Sequence, residues 1–353
     1  MDDIIENVSI DAWAGAFGRD PRQVNAPHES DAELVELPGR PDVLLAATID
    51  TVSEEILEGL YRDPYTMGWV VAMASLSDLA AVGADAIGLL LSVSVPPVGD
   101  VDFVPRAALG VEEACRSLGV HVLGGDSNQS ATAAFTGCAL GTVPRDSVLT
   151  RRGVGAGDAV YLSGRAGSGN ALGLARLGRL PDRLFPEERY RPSARLPFGR
   201  ALRGLATGCM DTSDGVLATL DQLMRLNGLG FEVDCDWTSV LAPAVLDLCD
   251  AAETPYWMML GGPHGEFELA FTMPESRLGE LEARLDALDP AQSPPVRIGR
   301  VQERQAVTLA LPTGERRDVD MASVRNLMET VDGDLSRYVA GLRSLGRELG
   351  LER

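Results

Sequence analysis

The stretch ASLSDLAAVGA, residues 74–84, lies in an apolar run that begins at Trp69, and its reading decides the architecture. Val71, Ala74 and Asp78 recur at spacings of three and four, which is one face of an α-helix. A carboxylate therefore interrupts an otherwise apolar stripe. A capping or surface aspartate is the plain alternative, but an ionised carboxylate on a buried face demands a cation or strong donors, and this favours a metal-binding role.

Working outward, the helix is expected from Tyr65 to Val82, flanked by the apolar strand VLLAATID that ends at Asp50 and by a second strand, Ile87 to Val95. Phe103 to Leu118 has helical spacing and stops at Gly119. VHVLGG and AAFTGCALGTV then read as strands separated by a polar loop, Asp126 to Thr132. RRGVGAGDAVYLSG, residues 151–164, crowds three glycines before a strand and has the look of a new unit, so a boundary is expected near Thr150. Beyond it, SGNALGLARLG (168–178), Asp214 to Leu226 and Leu278 to Leu288 read as helices, and GEFELAFTM alternates as a strand. The order is mixed β and α. Residues 1–24 form an N-terminal extension and 331–353 an amphipathic helical tail, both expected to pack rather than to do chemistry.

At 353 residues the chain exceeds the usual size of one domain. The expected division is 25–150 and 151–330 between the two extensions. The net charge of −21 opposes nucleic acid and anionic membrane, which are bound through clustered cations. The longest apolar run, Ile87 to Pro97, is far too short to span a membrane, and the acidic start Met1-Asp2-Asp3 does not resemble a secretory signal, so a cytoplasmic protein is expected. Five cysteines without a C-x-x-C spacing read as free thiols, mostly buried. Every basic residue is arginine, because the chain contains no lysine. P-loop and protein-kinase mechanisms both lose their phosphate-binding lysine. An acidic protein handling phosphates needs a divalent metal to bridge carboxylate and phosphate.

Three further acidic motifs accompany Asp78. In VLGGDSNQS (122–130), Gly124 and Gly125 follow a strand directly, let the backbone approach a ligand, and leave Asp126 at the strand end. DTSDG (211–215) opens a helix; Asp211 or Ser213 serves as a simple cap on one reading. Two carboxylates and two hydroxyls at the positive end of a helix also suit Mg²⁺ with phosphate oxygens. In GGPHGEFELAF (261–271), Glu266 and Glu268 share one face of the expected strand, where they either orient a substrate or face water.

Taken together, SDLAAVGA, GGDSNQS, DTSDG and GEFELAF resemble, in order and spacing, thiamine-monophosphate kinase and the wider aminoimidazole-ribonucleotide synthetase superfamily. ESDAELVEL (29–37), TIDTVSEEI (48–56), LTRRGVGAGDAVYLSG (149–164) and RPSARLPFGRAL (191–202) sharpen the resemblance toward the kinase. It implies an α/β (α+β) protein: an N-terminal mixed sheet that forms a β-barrel with a second copy in a homodimer, followed by a C-terminal α/β domain. It implies ATP and Mg²⁺ as cofactors and a small-molecule acceptor. Asp31, Asp78, Asp126, Asp211, Ser213 and Asp214 would be metal or phosphate-metal ligands, with Asp214 and Asp126 central to catalysis. Asp50, Gly124, Gly125, Asp126, Ser127, Arg151 and Gly215 would face the nucleotide, and Glu266 and Glu268 the acceptor.

The chain departs from the kinase pattern chiefly on the acceptor side. Paired aspartates appear as Ser30-Asp31, a Thr and Arg as Asn128 and Gln129, and a Val-Glu-Gly-Val-His-Phe stretch as residues 52–57, VSEEIL. The GGEDYELLF-type motif is altered and carries two additional residues. The expected reaction is transfer of the ATP γ-phosphoryl group to a small phosphorylated acceptor, which needs positioning more than covalent catalysis; His28, His121 and His264 receive no catalytic role. Two alternatives on the same scaffold are an ATP-dependent amide-activating cyclase or dehydratase and a catalytically silent nucleotide-binding partner. Hydrogenase-maturation and selenophosphate-synthetase branches are disfavoured, because the cysteines run only from Cys115 to Cys249 and none lies near either end.

Overall fold

The computed structural model describes residues 3–96, 101–234, 236–288, 293–311 and 313–351. Met1, Asp2, Pro97 and Cys235 lie outside the described residues. Two mixed sheets carry the structure. The first comprises β1 (Glu33–Leu37), β2 (Arg40–Thr51), β3 (Asp85–Val95), β4 (Val122–Gln129) and β5 (Ala134–Pro144), in the order β1-β2-β5-β3-β4. The second comprises β6 (Ala159–Leu162), β7 (Gly208–Asp211), β8 (Gly230–Val233), β9 (Leu269–Met273), β10 (Val296–Gln302), β11 (Val307–Ala310) and β12 (Arg316–Asp318), in the order β12-β11-β8-β10-β6-β9-β7. Pairing is antiparallel except for β3 with β4 and β8 with β11.

Helix Pro64–Ala81 lies between the sheets. Asp63 caps it, accepting from the Tyr65 amide at 3.0 Å, and Pro64 takes the first position, where no amide partner is needed. The helix is buried almost along its length because β2, β5 and helix Phe103–Ser117 cover it from one half, and helix Leu196–Leu202 and β7 from the other. Asp78, in its last turn, is thereby placed at the junction of the two sheets.

The opposite face of the first sheet is open. Ile49 and Leu90 share a row across β2, β5 and β3 and are 70% and 37% exposed. β4 is an edge strand exposed along its whole length. The polar loop expected from Asp126 is shorter than the sequence suggests, because residues 126–129 continue the ladder with Ser92 to Val95. Backbone pairing at an open edge tolerates polar side chains, so polarity alone misplaced the strand end.

In the second half, helix Ser168–Leu177 forms as expected and helix Val216–Asn227 ends at Gly228, which takes the left-handed conformation at φ 68°. GEFELAF is not one strand. Phe267 has a φ of 57°, and β9 begins only at Leu269. The tail forms helix Leu335–Glu348, which buries Tyr338 and Leu342. Helix Ile5–Ala16 is held to the body through polar contacts: Asn326 accepts from the Ile5 amide at 3.0 Å, and Arg325 pairs with Glu6 at 2.9 Å. Cys115, Cys209 and Cys249 are buried free thiols and Cys138 is half-buried. Among the described residues no helix is long and apolar enough to cross a membrane.

Candidate active site

Four carboxylates meet where the two sheets face each other. Asp31 precedes β1, Asp50 lies near the end of β2, Asp78 ends helix Pro64–Ala81, and Asp211 ends β7. Oxygen atoms of Asp31, Asp78 and Asp211 all lie within 4.8 Å of one another. Arg151 grips Asp31 with two nitrogens, at 3.0 and 3.3 Å, and the Asp211 amide donates to Asp31 at 3.3 Å. Ser213 donates to Asp211 through its hydroxyl at 2.9 Å and through its amide at 3.3 Å. The Thr48 hydroxyl donates to Asp78, and one oxygen of Asp50, Oδ2, is buried with no hydrogen-bond partner.

The electrostatics follow from crowding. Burial, then the neighbouring Asp50, Asp211 and Asp31, holds the Asp78 carboxyl well above the usual carboxylate range. Burial and then Asp211 raise Asp50, and burial and then Asp31 raise Asp211. For Arg151 burial works to lower the pKa, but the Asp31 charge overcomes it, so the guanidinium stays charged. One arginine cannot balance four acids. Buried like charges with an orphaned oxygen are costly unless a cation joins them, and an all-oxygen donor set suits a hard divalent ion such as Mg²⁺. The residues therefore fit the metal that the sequence leads one to expect.

Asp214 and Gly215 lie beside this group. Burial, then Glu6 and Asp211, pushes Asp214 up to about 7. Asp214 opens onto a cavity of about 330 Å³ lined also by Glu54, Glu55, Glu58, His264 and Arg325. Gly215 has a φ of 90°, and a Cβ there would stand 2.1 Å from the Gly262 carbonyl oxygen, so only glycine fits the turn that lifts residues 212–214 toward the cluster.

The chain does not bring Asp126 to this group. Across the first sheet, Asp50, Gly137, Leu91 and Gly125 form one row, and Thr51, Thr136, Ser92 and Asp126 the next. Side chains of adjacent rows project from opposite faces, so Asp126 emerges on the side away from Asp50 and about three strand spacings off, roughly 14 Å. Gly124, Gly125, Asp126 and Ser127 instead line a groove of about 900 Å³ between β3, β4 and helix Phe103–Ser117, with Val93, Val111 and Phe135 as apolar walls. Gly125 is required by the sheet itself: a Cβ would meet the Leu91 carbonyl oxygen at 1.9 Å. Gly124, at φ 151°, is the glycine with open space before it.

Glu266 and Glu268 are taken up by the scaffold. Glu266 accepts from the amides of Ser168 and Gly169, at 2.9 and 3.3 Å, at the start of helix Ser168–Leu177. Glu268 pairs with Arg195, whose Nε lies at 2.8 Å, and accepts from the Ser163 hydroxyl at 2.5 Å. Both are buried, and among the described residues neither lines the cavity beside Asp214. The sequence reading missed Thr48, Glu6 and Arg325. Thr48 stands two residues before Asp50 and so shares its strand face, which is a readable signal. Glu6 and Arg325 come from opposite ends of the chain and carry no local one.

The fold and this acidic junction define the class of AIR synthase related proteins, whose N-terminal domain profile matches residues 29–143. A structure described as AaThiL complexed with AMPPCP and TMP superposes with a TM-score of 0.67 at 25% identity, covering 81% of this chain and 88% of that one. The thiamine-monophosphate kinase of Archaeoglobus fulgidus is 30% identical over 258 residues, 71% of this chain and 81% of that protein. That of Salmonella typhimurium is 28% identical over 265 residues, 73% of this chain and 79% of that protein. The chain belongs to the thiamine-monophosphate kinase family.

Proposed function

We propose that this chain is an ATP-dependent kinase that transfers the γ-phosphoryl group of ATP to thiamine monophosphate or a closely related phosphorylated acceptor. The observation that carries the reading is the convergence of Asp31, Asp50, Asp78 and Asp211 on one point, with Arg151 beside them and a cavity opening past Asp214. The kinase relatives and the structure described with AMPPCP and TMP support both the donor and the acceptor.

An acceptor phosphate oxygen attacks the γ-phosphorus and the bond to the ADP oxygen breaks, so no protein nucleophile and no histidine base is needed. The carboxylate group, with Ser213 and Asp214, would hold Mg²⁺, which when bound neutralises charge on the transferring phosphoryl group. Arg151 holds Asp31 in place through two hydrogen bonds. The apolar groove beside helix Phe103–Ser117 takes the base, Gly124 admits the phosphates to the backbone, and Ser127, on the same sheet face as Val93, meets the nucleotide from the open edge, while the Asp126 side chain projects from the other face. The division into residues 25–150 for nucleotide and metal and 151–330 for the second sheet, flanked by extensions 1–24 and 331–353, is part of this reading.

The open face and edge of the first sheet support a homodimer in which two such sheets close into a barrel. Exposed Ile49 and Leu90 and the unpaired β4 edge are otherwise an aggregation hazard. Sedimentation of Ile49→Lys against the natural chain tests it; a natural chain that sediments as a monomer rules the barrel out.

The activity is tested by incubating the protein with ATP, Mg²⁺ and thiamine monophosphate and following ADP and thiamine diphosphate by chromatography. Formation of both that depends on the acceptor and disappears in Asp214→Asn is the expected result. ADP formation without thiamine diphosphate would refute this acceptor.

A further inference from the structure

We propose that His264 reads the end of the acceptor remote from the transferred phosphoryl group, exchanging a hydrogen bond with a nitrogen heterocycle whose small apolar substituent enters a recess beside the imidazole. The inference rests on the kinase reading and concerns its acceptor cleft. The cavity of about 330 Å³ beside Asp214 and a recess of about 30 Å³ share Pro263, His264 and Tyr338 as lining residues, so the two spaces adjoin. Leu174, Leu177, Met258, Val339 and Leu342 wall the recess with apolar side chains. It has room for one or two water-sized groups, but its walls offer a water few partners, so a methyl group is the better occupant.

The imidazole is fixed before any ligand arrives. Asn170, 5% exposed, donates to the Met259 and Gly262 carbonyls at 3.0 and 3.1 Å and accepts from the His264 amide at 3.1 Å. One buried amide thus sets the turn that carries the ring. A Cβ at Gly173 would stand 2.2 Å from Cδ2 of His264, so the imidazole occupies the gap that this glycine leaves on helix Ser168–Leu177. Among the described residues, neither ring nitrogen has a hydrogen-bond partner. Burial lowers the pKa to about 4, so at neutral pH the ring is uncharged and offers one donor and one acceptor. Packed polar side chains normally find partners within the protein. A pre-positioned imidazole with both nitrogens unspent, on the wall of a cavity, is equipped for a ligand instead.

Thiamine monophosphate ends, opposite its phosphate, in an aminopyrimidine that bears a methyl group. A pyrimidine nitrogen or the amino group can pair with the uncharged imidazole, and the methyl group matches the recess. An anionic end is not catered for: Arg325, the arginine among the residues lining the cavity, is spent on Asp221, Gln222 and Glu6. His264 stands in GGPHGEFELAF, where the chain departs from the kinase pattern on the acceptor side, so the altered turn supplies a contact of its own. Tyr338, Val339 and Leu342 belong to helix Leu335–Glu348, which gives the C-terminal tail a part in acceptor recognition.

The test is calorimetric titration of two probes into the full-length protein saturated with Mg²⁺ and a non-hydrolysable ATP analogue. One probe is thiamine monophosphate; the other is its thiazole phosphate fragment, which keeps the phosphate and lacks the pyrimidine. The natural chain is compared with His264→Leu, which fills the gap at Gly173 without polar atoms, and with His264→Gln, which restores a donor and an acceptor. Thiamine monophosphate should bind about tenfold more weakly to His264→Leu, the cost of one neutral hydrogen bond, and His264→Gln should recover part of the loss. The fragment should bind all three proteins alike. An equal loss for both probes in His264→Leu marks general damage to the cleft, and no loss for thiamine monophosphate shows that the imidazole does not touch it; either result overturns the proposal while leaving the kinase reading in place. A natural chain that binds the nucleotide analogue but neither probe sinks the acceptor reading itself, and the assignment of His264 with it.

Discussion

Replacing Asp78 by Asn should make the metal-free protein more stable while removing its response to Mg²⁺. Oxygen atoms of Asp31, Asp78 and Asp211 lie within 4.8 Å of one another. At that separation two unit charges repel by about 3.5 kcal/mol at an effective dielectric of about 20. Asp78 faces Asp31 and Asp211 at no more than that separation and Asp50 besides, so the repulsion is at least about 7 kcal/mol if all are ionised. Arg151 offsets the charge on Asp31, and proton uptake by the crowded carboxyls removes much of the remainder, which leaves a net gain of about 1–3 kcal/mol for the neutral amide. Asn keeps an oxygen for the Thr48 hydroxyl, so no hydrogen bond is forfeited. The assay is denaturant unfolding at mildly alkaline pH in chelator and then in millimolar Mg²⁺. The natural chain should gain stability with metal, about 2.7 kcal/mol when Mg²⁺ is near a hundred times its dissociation constant, and Asp78→Asn should gain little. A variant that is less stable than the natural chain in chelator, or that responds equally to Mg²⁺, would show that the acids are not held together against their repulsion for a cation.

Removing Arg195 leaves Glu268 buried with only the Ser163 hydroxyl, so Arg195→Met should cost about 3 kcal/mol, and Arg195→Met/Glu268→Leu should recover part of it; unfolding midpoints decide, and a double variant no better than the single one counts against the ion-pair account. Burial lowers His264 from 6.5 to about 4, so between those values the unfolded chain binds the extra proton and stability falls as pH falls through the window; His264→Gln should flatten that slope in unfolding measured across it. Gly215→Ala should destabilise by about 2 kcal/mol or more, since it adds left-handed strain to a contact 2.1 Å from the Gly262 carbonyl, and should weaken nucleotide binding measured by calorimetry.

Much of the first half was legible locally. Helix Pro64–Ala81, helix Phe103–Ser117 and strands β2, β3 and β5 lie where periodicity puts them, within a few residues, because each buries one consistent face. The end of β4 was not, since a polar edge strand is held by the ladder of its neighbour and carries no apolar alternation of its own. The alternation of GEFELAF suggested a strand, but Phe267 takes a left-handed backbone so that Glu266 can reach the amides of Ser168 and Gly169. That partner lies nearly a hundred residues away, beyond any local pattern.

By itself the sequence determined that this is a mixed β and α chain, that phosphate chemistry without lysine has to run through carboxylates and a metal, and which aspartates to examine. Composition and short-range spacing carry those facts because burial and backbone geometry act residue by residue. Only the tertiary structure decided which acids meet. Asp31 and Asp211 stand 180 residues apart and are joined by one hydrogen bond from the Asp211 amide, with Arg151 gripping Asp31 beside it. Asp126, which looks equivalent in sequence, is turned to the opposite face of the sheet by a register of one residue. Glu268 is claimed by Arg195 before any substrate can reach it. Charges a few ångströms apart reshape one another's chemistry, and that proximity is created by folding, not by order along the chain.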